Sequence, residues 1–225
     1  MHDLNLTEIY KDVQNPEVSI SIEYIPCECG TVTRTCVFGV LASERGLKIK
    51  KEMLSWLTKE YNVYCVNQAV PGRLYEYPAL RFAQWLCQNG EQWVLYVHTK
   101  GAAKPRLTQM KVRKMWKYQF TGSAAEDYIS GLDIYDVVCP LLGPNNETWY
   151  NGMFISGRAF EKIGDIVPSE DRYDYQRLFR ISKIKARGIL KEKMEITHID
   201  AYMLSHEFSR QGVIFTHDFC LTIEY

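Results

Sequence analysis

The spacing of apolar and polar residues changes in a regular way over the first hundred positions. VSISIEYI (18–25) alternates the two kinds, the two-residue period of a strand with one covered face. TCVFGVLAS (35–43) is apolar and β-branched almost throughout and ends in small residues, the pattern of a buried strand. In LKIKKEMLSWLTKEY, residues Leu47, Ile49, Met53, Leu54, Trp56 and Leu57 share one helical face. NVYCVNQ (62–68) is a second short strand. Pro78 then opens a helix through ALRFAQWLCQN, whose inner face is Leu80, Phe82, Ala83, Leu86 and Cys87, and Asn89-Gly90 ends it. WVLYV (93–97) is a third strand of the buried kind. Strands alternating with helices predict right-handed crossovers and a mostly parallel sheet.

The second half is less regular. Leu107–Phe120 is expected to be helical, followed by a shorter helix, SAAEDYISGL, capped by Ser123 with Glu126 three residues on. YDVVCPLLG (135–143) reads as a strand, and ETWYNGMFISGRAFEKIG as a strand followed by a helix from about Ser156. Residues 173–190 are basic and give no clear period. A helix is expected over Ile199–Arg210, ended by Gly212, and VIFTHDFCLTIEY closes the chain with strand-like sequence. The expectation is a single α/β domain over residues 1–225, with residues 1–34 an N-terminal extension or hairpin. Its central sheet is mixed, mostly parallel and flanked by helices.

Composition narrows the function. Of the 225 residues 46% are hydrophobic, enough for a sizeable core. The 27 basic residues balance the 27 acidic ones, so net charge gives no argument for nucleic acid. The start, MHDLNLTEIYKDVQNPEVS, lacks a basic-then-apolar signal pattern, and no run approaches the ~20 apolar residues of a membrane helix. A cytoplasmic protein with no transmembrane segment is expected. Seven cysteines fit reduced thiols in a reducing compartment. Cys27, Cys29 and Cys36 make a C-x-C-x6-C cluster, which lacks the C-x2-C pairs usual for zinc and is read as a hairpin tip bent by Pro26 and Gly30. The chain has no G-x-G-x-x-G, no GxxxxGK[ST] and no G-x-S-x-G.

Chemistry concentrates where WVLYV runs into His98-Thr99-Lys100-Gly101. The carboxyl end of a strand is where open α/β sheets bind ligands. From Lys100 to Lys117 there are seven cations (Lys100, Lys104, Arg106, Lys111, Arg113, Lys114, Lys117) and no acid. An anionic ligand follows as the expectation, because phosphate forms charge-assisted hydrogen bonds with Lys and Arg. One such pair at about 4 Å is worth about 4 kcal/mol before desolvation, at an effective dielectric of about 20. The alternative is a solvated basic helix face. His98 reads as a core histidine, a metal ligand or a substrate contact, and its place beside Thr99 and Lys100 favours substrate contact, with a general-base role open to it.

Two stretches, EYPALRFAQWL…QWVLYVHTKGAA and WYNGMFISGRAFEKIG, resemble segments of a group of bacterial proteins assigned as glycosyltransferases. There a Tyr-Pro-x-Leu helix precedes a strand ending in His-(Thr/Ser)-Lys-Gly, a basic-aromatic helix follows, and an Asn-Gly-x-Phe strand comes later. The resemblance spans roughly Thr35 to Gly164. It implies a GT-A-type, nucleotide-diphospho-sugar transferase-like fold, with a nucleoside-diphosphate sugar as donor and a glycan or other hydroxyl acceptor. In that fold the strand matching WVLYV normally ends in Asp-x-Asp, which holds a divalent metal. His98-Thr99-Lys100 stands there instead. The expectation is a metal-independent site, with no cofactor, in which Lys100 supplies the charge of the missing metal, helped by Arg106 or Arg113. A need for Mn or Mg is the alternative.

The resemblance also implies that Ala42, Ser43 and Glu44, at the first strand tip, meet base and ribose, and that His217 touches the diphosphate. Thr99 and Gly101 complete the tip. Asn151 is expected to place an amide near the sugar hydroxyls, with Gly152 allowing close approach, or else both form a strand bulge. Asp200 would cap its helix or serve as a base; Glu170, Asp171 and Asp174 are further base candidates or a solvated acidic loop, and His206 is structural. Asp133 and Asp136 read as turn residues. Two other functions remain: a binding module of the same fold without turnover, and a single-strand nucleic-acid binder using the basic stretch with Trp116 and Tyr118. Net neutrality makes the nucleic-acid reading the weakest.

Overall fold

The computed structural model describes residues 5–13, 19–30, 34–69, 74–100, 102–103, 107–142, 148–149, 152–189, 213–215 and 221–223. In chain order the elements are α1 (Leu6–Ile9), β1 (Ile20–Ile25), β2 (Thr35–Leu41), α2 (Glu44–Leu57), β3 (Asn62–Gln68), α3 (Tyr77–Gln88), β4 (Trp93–His98), α4 (Leu107–Gln119), α5 (Gly122–Gly131), β5 (Val137–Leu142), β6 (Thr148–Trp149), β7 (Met153–Ser156), α6 (Gly157–Ile163), α7 (Arg172–Arg177), β8 (Ile184–Ile189), β9 (Val213–Phe215) and β10 (Leu221–Ile223). Among the described residues the strands form one mixed sheet in the order β1-β3-β2-β4-β7-β5-β8-β10-β9, with β6 paired to β5. The expected α/β architecture, a mixed sheet flanked by helices, is what the chain adopts, but the sheet is not mostly parallel: among the described residues five strand pairings are antiparallel and four parallel, because β1, β7, β6 and β9 each run against their neighbours.

Alternation along the strands builds two cores. Cys36, Phe38 and Val40 of β2, Val63 and Cys65 of β3, and Leu95 and Val97 of β4 face one side. There they meet α2 through Ile49, Met53 and Leu57, α4 through Val112 and Trp116, and α5 through Tyr128. Val37, Val66, Val94 and Tyr96 face the other side, against α3 through Leu80, Phe82 and Ala83 and α6 through Phe160. Both faces are covered, so β2 and β4 read as unbroken apolar runs.

The chain order makes a topological switch. From β2 the chain runs through α2 to β3, on one side of β2; from β3 it runs through α3 to β4, on the other side. Both pairings are parallel, Gly39 lying opposite Val66 in β3 and His98 in β4. The two crossover helices therefore cover opposite faces, and the strand order reverses between β2 and β4.

Three local expectations change. Residues 27–30 do turn, with Gly30 at φ +69, but β1 does not fold back on β2: it pairs antiparallel with the outer side of β3. Its half-exposed alternation suits that edge, and β2 needs burial on both flanks. Helix α5 is not capped by Ser123, which lies inside its first turn; the Glu60 carboxylate accepts from the Gly122 amide at 2.8 Å. Asp136 is not a turn residue but a buried hub. Its carboxylate accepts from Lys162 Nζ at 2.5 Å and the Lys183 amide at 2.7 Å, with Arg158 Nε at 3.6 Å.

Burial alone would push the Asp136 carboxyl up, but Lys162, the Lys183 amide and Arg158 together hold it below the usual aspartate range. A carboxyl lowered in the fold stabilises it above the unfolded pKa, and that contribution is lost as pH falls through the folded value. Asp136→Asn should cost about 1–2 kcal/mol at neutral pH, as the half-exposed lysine and arginine regain water. Urea unfolding at several pH values checks this: the gap between wild type and variant should close as pH drops below about 3.9.

Candidate functional site

The carboxyl ends of β2 and β4 are joined by a threonine. The Thr99 amide donates to the Gly39 carbonyl at 2.9 Å, continuing the ladder. One step on, the Leu41 amide donates not to a carbonyl but to the Thr99 hydroxyl, at 3.0 Å. Here a side chain ends the pairing and the two strands part. The chain then turns tightly: the Lys100 amide donates to the His98 carbonyl at 2.7 Å and the Ala102 amide to the Thr99 carbonyl at 3.0 Å.

Two helices hold this turn. Arg113 of α4, almost wholly buried, donates to the Lys100 carbonyl at 2.7 Å and forks onto Glu52 of α2 at 3.3 and 3.1 Å. Arg45, in the first turn of α2, donates to the Ala102 carbonyl at 3.4 Å. Arg113 is thus committed to positioning the tip, with its charge matched by Glu52. Arg113→Ala should cost about 2 kcal/mol, the value of charged hydrogen bonds, and should loosen residues 98–102. Hydrogen exchange at the Thr99 and Ala102 amides reads that directly.

The strand-to-helix junction on the β2 side is equally tight. The Ser43 hydroxyl accepts from the Gly46 amide at 3.1 Å as the cap of α2, and the Ala42 amide donates to the Gln68 carbonyl at 2.9 Å. Glu44 pairs with Lys48 at 2.8 Å on the exposed surface. Of the three residues expected to meet base and ribose, Ser43 and Glu44 therefore have side chains engaged within α2, while Ala42 lies exposed at the strand end. The amino end of a helix favours an anion, and α2 presents that end here, beside Lys100 and Arg45.

The His98 ring, at the strand end, sits 6.0 Å from Tyr96 of the α3-side core and 5.5 Å, edge-on, from Trp116 of the α2-side core. Trp116 is fully buried, and its indole fills the space beside Gly152: a Cβ built there would fall 2.4 Å from the ring. The glycine at 152 is thus explained by the tryptophan. With Trp116 in the core, the basic helix offers the exposed ring of Tyr118 beside Lys114 and Lys117, and the stacking pair behind a nucleic-acid reading is missing.

Residues not singled out in the sequence also line this end of the sheet. Tyr96 and Tyr77 are fully buried, and neither hydroxyl has a hydrogen-bond partner among the described residues; the same holds for Trp116 Nε1 and Gln68 Oε1. Buried polar atoms are normally satisfied, so these stand out. Burial raises the Tyr96 hydroxyl well above its ordinary value, with Glu76 and Tyr175 adding to the rise, and burial pushes Tyr77 to about 12. Both stay protonated and able to donate. The signal for Tyr96 was its place two residues before the tip; for Arg45 it was a cation at the amino end of a helix, against the helix dipole.

The other candidates separate. Asp171 caps α7 by accepting from the Tyr173 amide at 2.9 Å, and Asp174 accepts from the Ser169 hydroxyl at 2.5 Å. Gly101, Arg106, Asn151, Asp200, His206 and His217, and the expected helix over 199–210, lie outside the described residues. Among the described residues no three His, Cys, Asp or Glu side chains gather as a metal site, and Cys36 sits wholly buried in the α2-side core. No described helix is long and apolar enough to cross a membrane. No family model, no curated protein and no solved structure matches the chain.

Proposed function

We propose that this protein is a GT-A-type glycosyltransferase, which binds a nucleoside-diphosphate sugar beyond the carboxyl ends of β2 and β4 and passes the sugar to a hydroxyl acceptor, in work such as surface polysaccharide assembly. The observation that carries the proposal is the switch point itself. Two adjacent parallel strands part at Thr99, and the next residue is a lysine. The antiparallel strand β7 between β4 and β5 is compatible with the mixed sheet of that fold.

In this reading Lys100 and Arg45 face the diphosphate from either side, with the amino end of α2 between them. Their charge offsets what develops on the leaving group, the usual large electrostatic contribution. Arg113 and Glu52 hold Lys100 in place. Tyr77 and Tyr96 offer buried hydroxyls to a polyhydroxylated ligand. A second reading, a binding module without turnover, is favoured by two observations: His98-Thr99-Lys100 carries no carboxylate, and Asp171 and Asp174 are engaged in capping α7 and its approach.

A thermal-shift panel of UDP, GDP, CMP and TDP sugars, each with Mn²⁺ and with EDTA, tests the proposal, because a ligand of the folded state raises the melting temperature. A rise with one nucleotide, equal in EDTA, is expected. A rise that requires Mn²⁺ would overturn the role given to Lys100, and no rise with any sugar nucleotide would overturn the donor site. Product formed from the bound donor separates transferase from binding module.

A further inference from the structure

At the opposite end of the sheet, the turn after β1 carries a chemistry that the proposed donor site does not use. Cys27 Sγ and Cys29 Sγ lie 2.7 Å apart, against ~2.05 Å in a finished disulfide. Cys27 is buried and Cys29 exposed. The turn that brings them together is fixed by bonds that do not involve sulfur. The Cys27 amide donates to Asn62 Oδ1 at 2.9 Å and the Glu28 amide to the Thr58 carbonyl at 2.7 Å. The Thr58 hydroxyl donates to the Glu28 carboxylate at 2.6 Å, and the Gly30 amide closes the turn on the Cys27 carbonyl at 3.2 Å. Gly30 takes the left-handed conformation this turn requires. The pair is therefore preorganised by α2 and β3, whichever state the sulfurs are in.

We propose that Cys27 and Cys29 form a redox-active dithiol that closes reversibly to a disulfide, with small-molecule disulfides such as oxidised glutathione as its oxidant. Exposure makes Cys29 the attacking group. Its thiolate displaces one thiolate from the oxidant and forms a mixed disulfide. Cys27 then gives its proton to solvent and attacks Cys29 Sγ, releasing the second small thiol. Two protein thiols become one disulfide while one small disulfide becomes two thiols. Dithiols of this kind in reducing compartments are typically transient or sensing rather than structural. Burial, with the Cys29 sulfur beside it, raises the Cys27 thiol, which suits a resolving rather than an attacking role.

The sequence makes the test clean, because trypsin releases residues 12–34 with these two cysteines and no others. The native chain is equilibrated with mixtures of reduced and oxidised glutathione, quenched with acid, alkylated and digested. The peptide is expected to pass from two alkylated cysteines to a form two hydrogens lighter than the dithiol, and to return when reduced glutathione is restored. Cys27→Ser should accumulate glutathione on Cys29, and Cys29→Ser should leave Cys27 unmodified. Both variants are checked for an unchanged melting temperature, and the wild-type peptide decides alone if either fails to fold. A wild-type peptide that stays fully reduced, or that carries glutathione on both cysteines without closing, would overturn the proposal.

Discussion

Gly46→Ala is expected to lower the melting temperature by roughly 10 °C, the largest loss from a single added methyl among the described glycines. Gly46 lies in the first turn of α2, against the end of β2. A Cβ there would fall 1.8 Å from the Leu41 carbonyl oxygen and 2.9 Å from its carbon. Backbone cannot rotate aside as a side chain can, so strand end and helix must separate by more than an ångström. Overpacking costs about 1–3 kcal/mol where side chains can adjust and more where they cannot, so about 3 kcal/mol is a lower estimate. In a chain of this size each kcal/mol moves the melting temperature by roughly 2–4 °C. The displaced atoms are those of Leu41–Ser43, beside the proposed donor site. On that proposal, sugar-nucleotide affinity should fall along with stability, whereas Leu47→Ala, one residue on and half exposed, should change neither. Differential scanning calorimetry of the two variants checks the contrast.

Trp116→Ala should cost about 3–5 kcal/mol, the range for removing a large buried aromatic. The indole touches Phe120 and His98, with ring centroids at 6.4 and 5.5 Å, and fills the space left by Gly152. The last contact gives a sharper form of the prediction. Gly152→Ala in the wild type would press a methyl 2.4 Å from the ring and destabilise the fold. In the Trp116→Ala background the same methyl enters the space the indole left, so the two losses should be strongly non-additive in urea unfolding. Additive losses would mean that Gly152 serves some purpose other than room for Trp116.

The strands were legible because burial on both faces writes β2, β3 and β4 as apolar runs, and their alternation with amphipathic helices implies parallel pairing. The tip at His98–Lys100 was legible for the same reason: a run that stops abruptly in polar residues marks a strand end. The partner of β1 was not, since a half-exposed edge strand fits β2 or β3 equally until the crossover puts β3 outside. Long-range partners were equally hidden. Nothing near Arg113 in sequence points to Glu52, sixty-one positions earlier, and nothing near Gly122 points to Glu60. The glycines at 46 and 152 read as freedom in the backbone, while their reason is the atom packed against each one.

On the proposed function, Lys100, where the ends of β2 and β4 part, receives the diphosphate of a sugar nucleotide without a metal. The most direct test measures, by calorimetric titration in EDTA, the affinity of wild type and Lys100→Ala for whichever sugar nucleotide raises the melting temperature, with the unliganded melting temperature of both as control. The variant is expected to fold with a similar melting temperature and to bind at least about tenfold more weakly, a loss of about 1.4 kcal/mol or more. Equal affinity in the two proteins would contradict it and place the anion elsewhere.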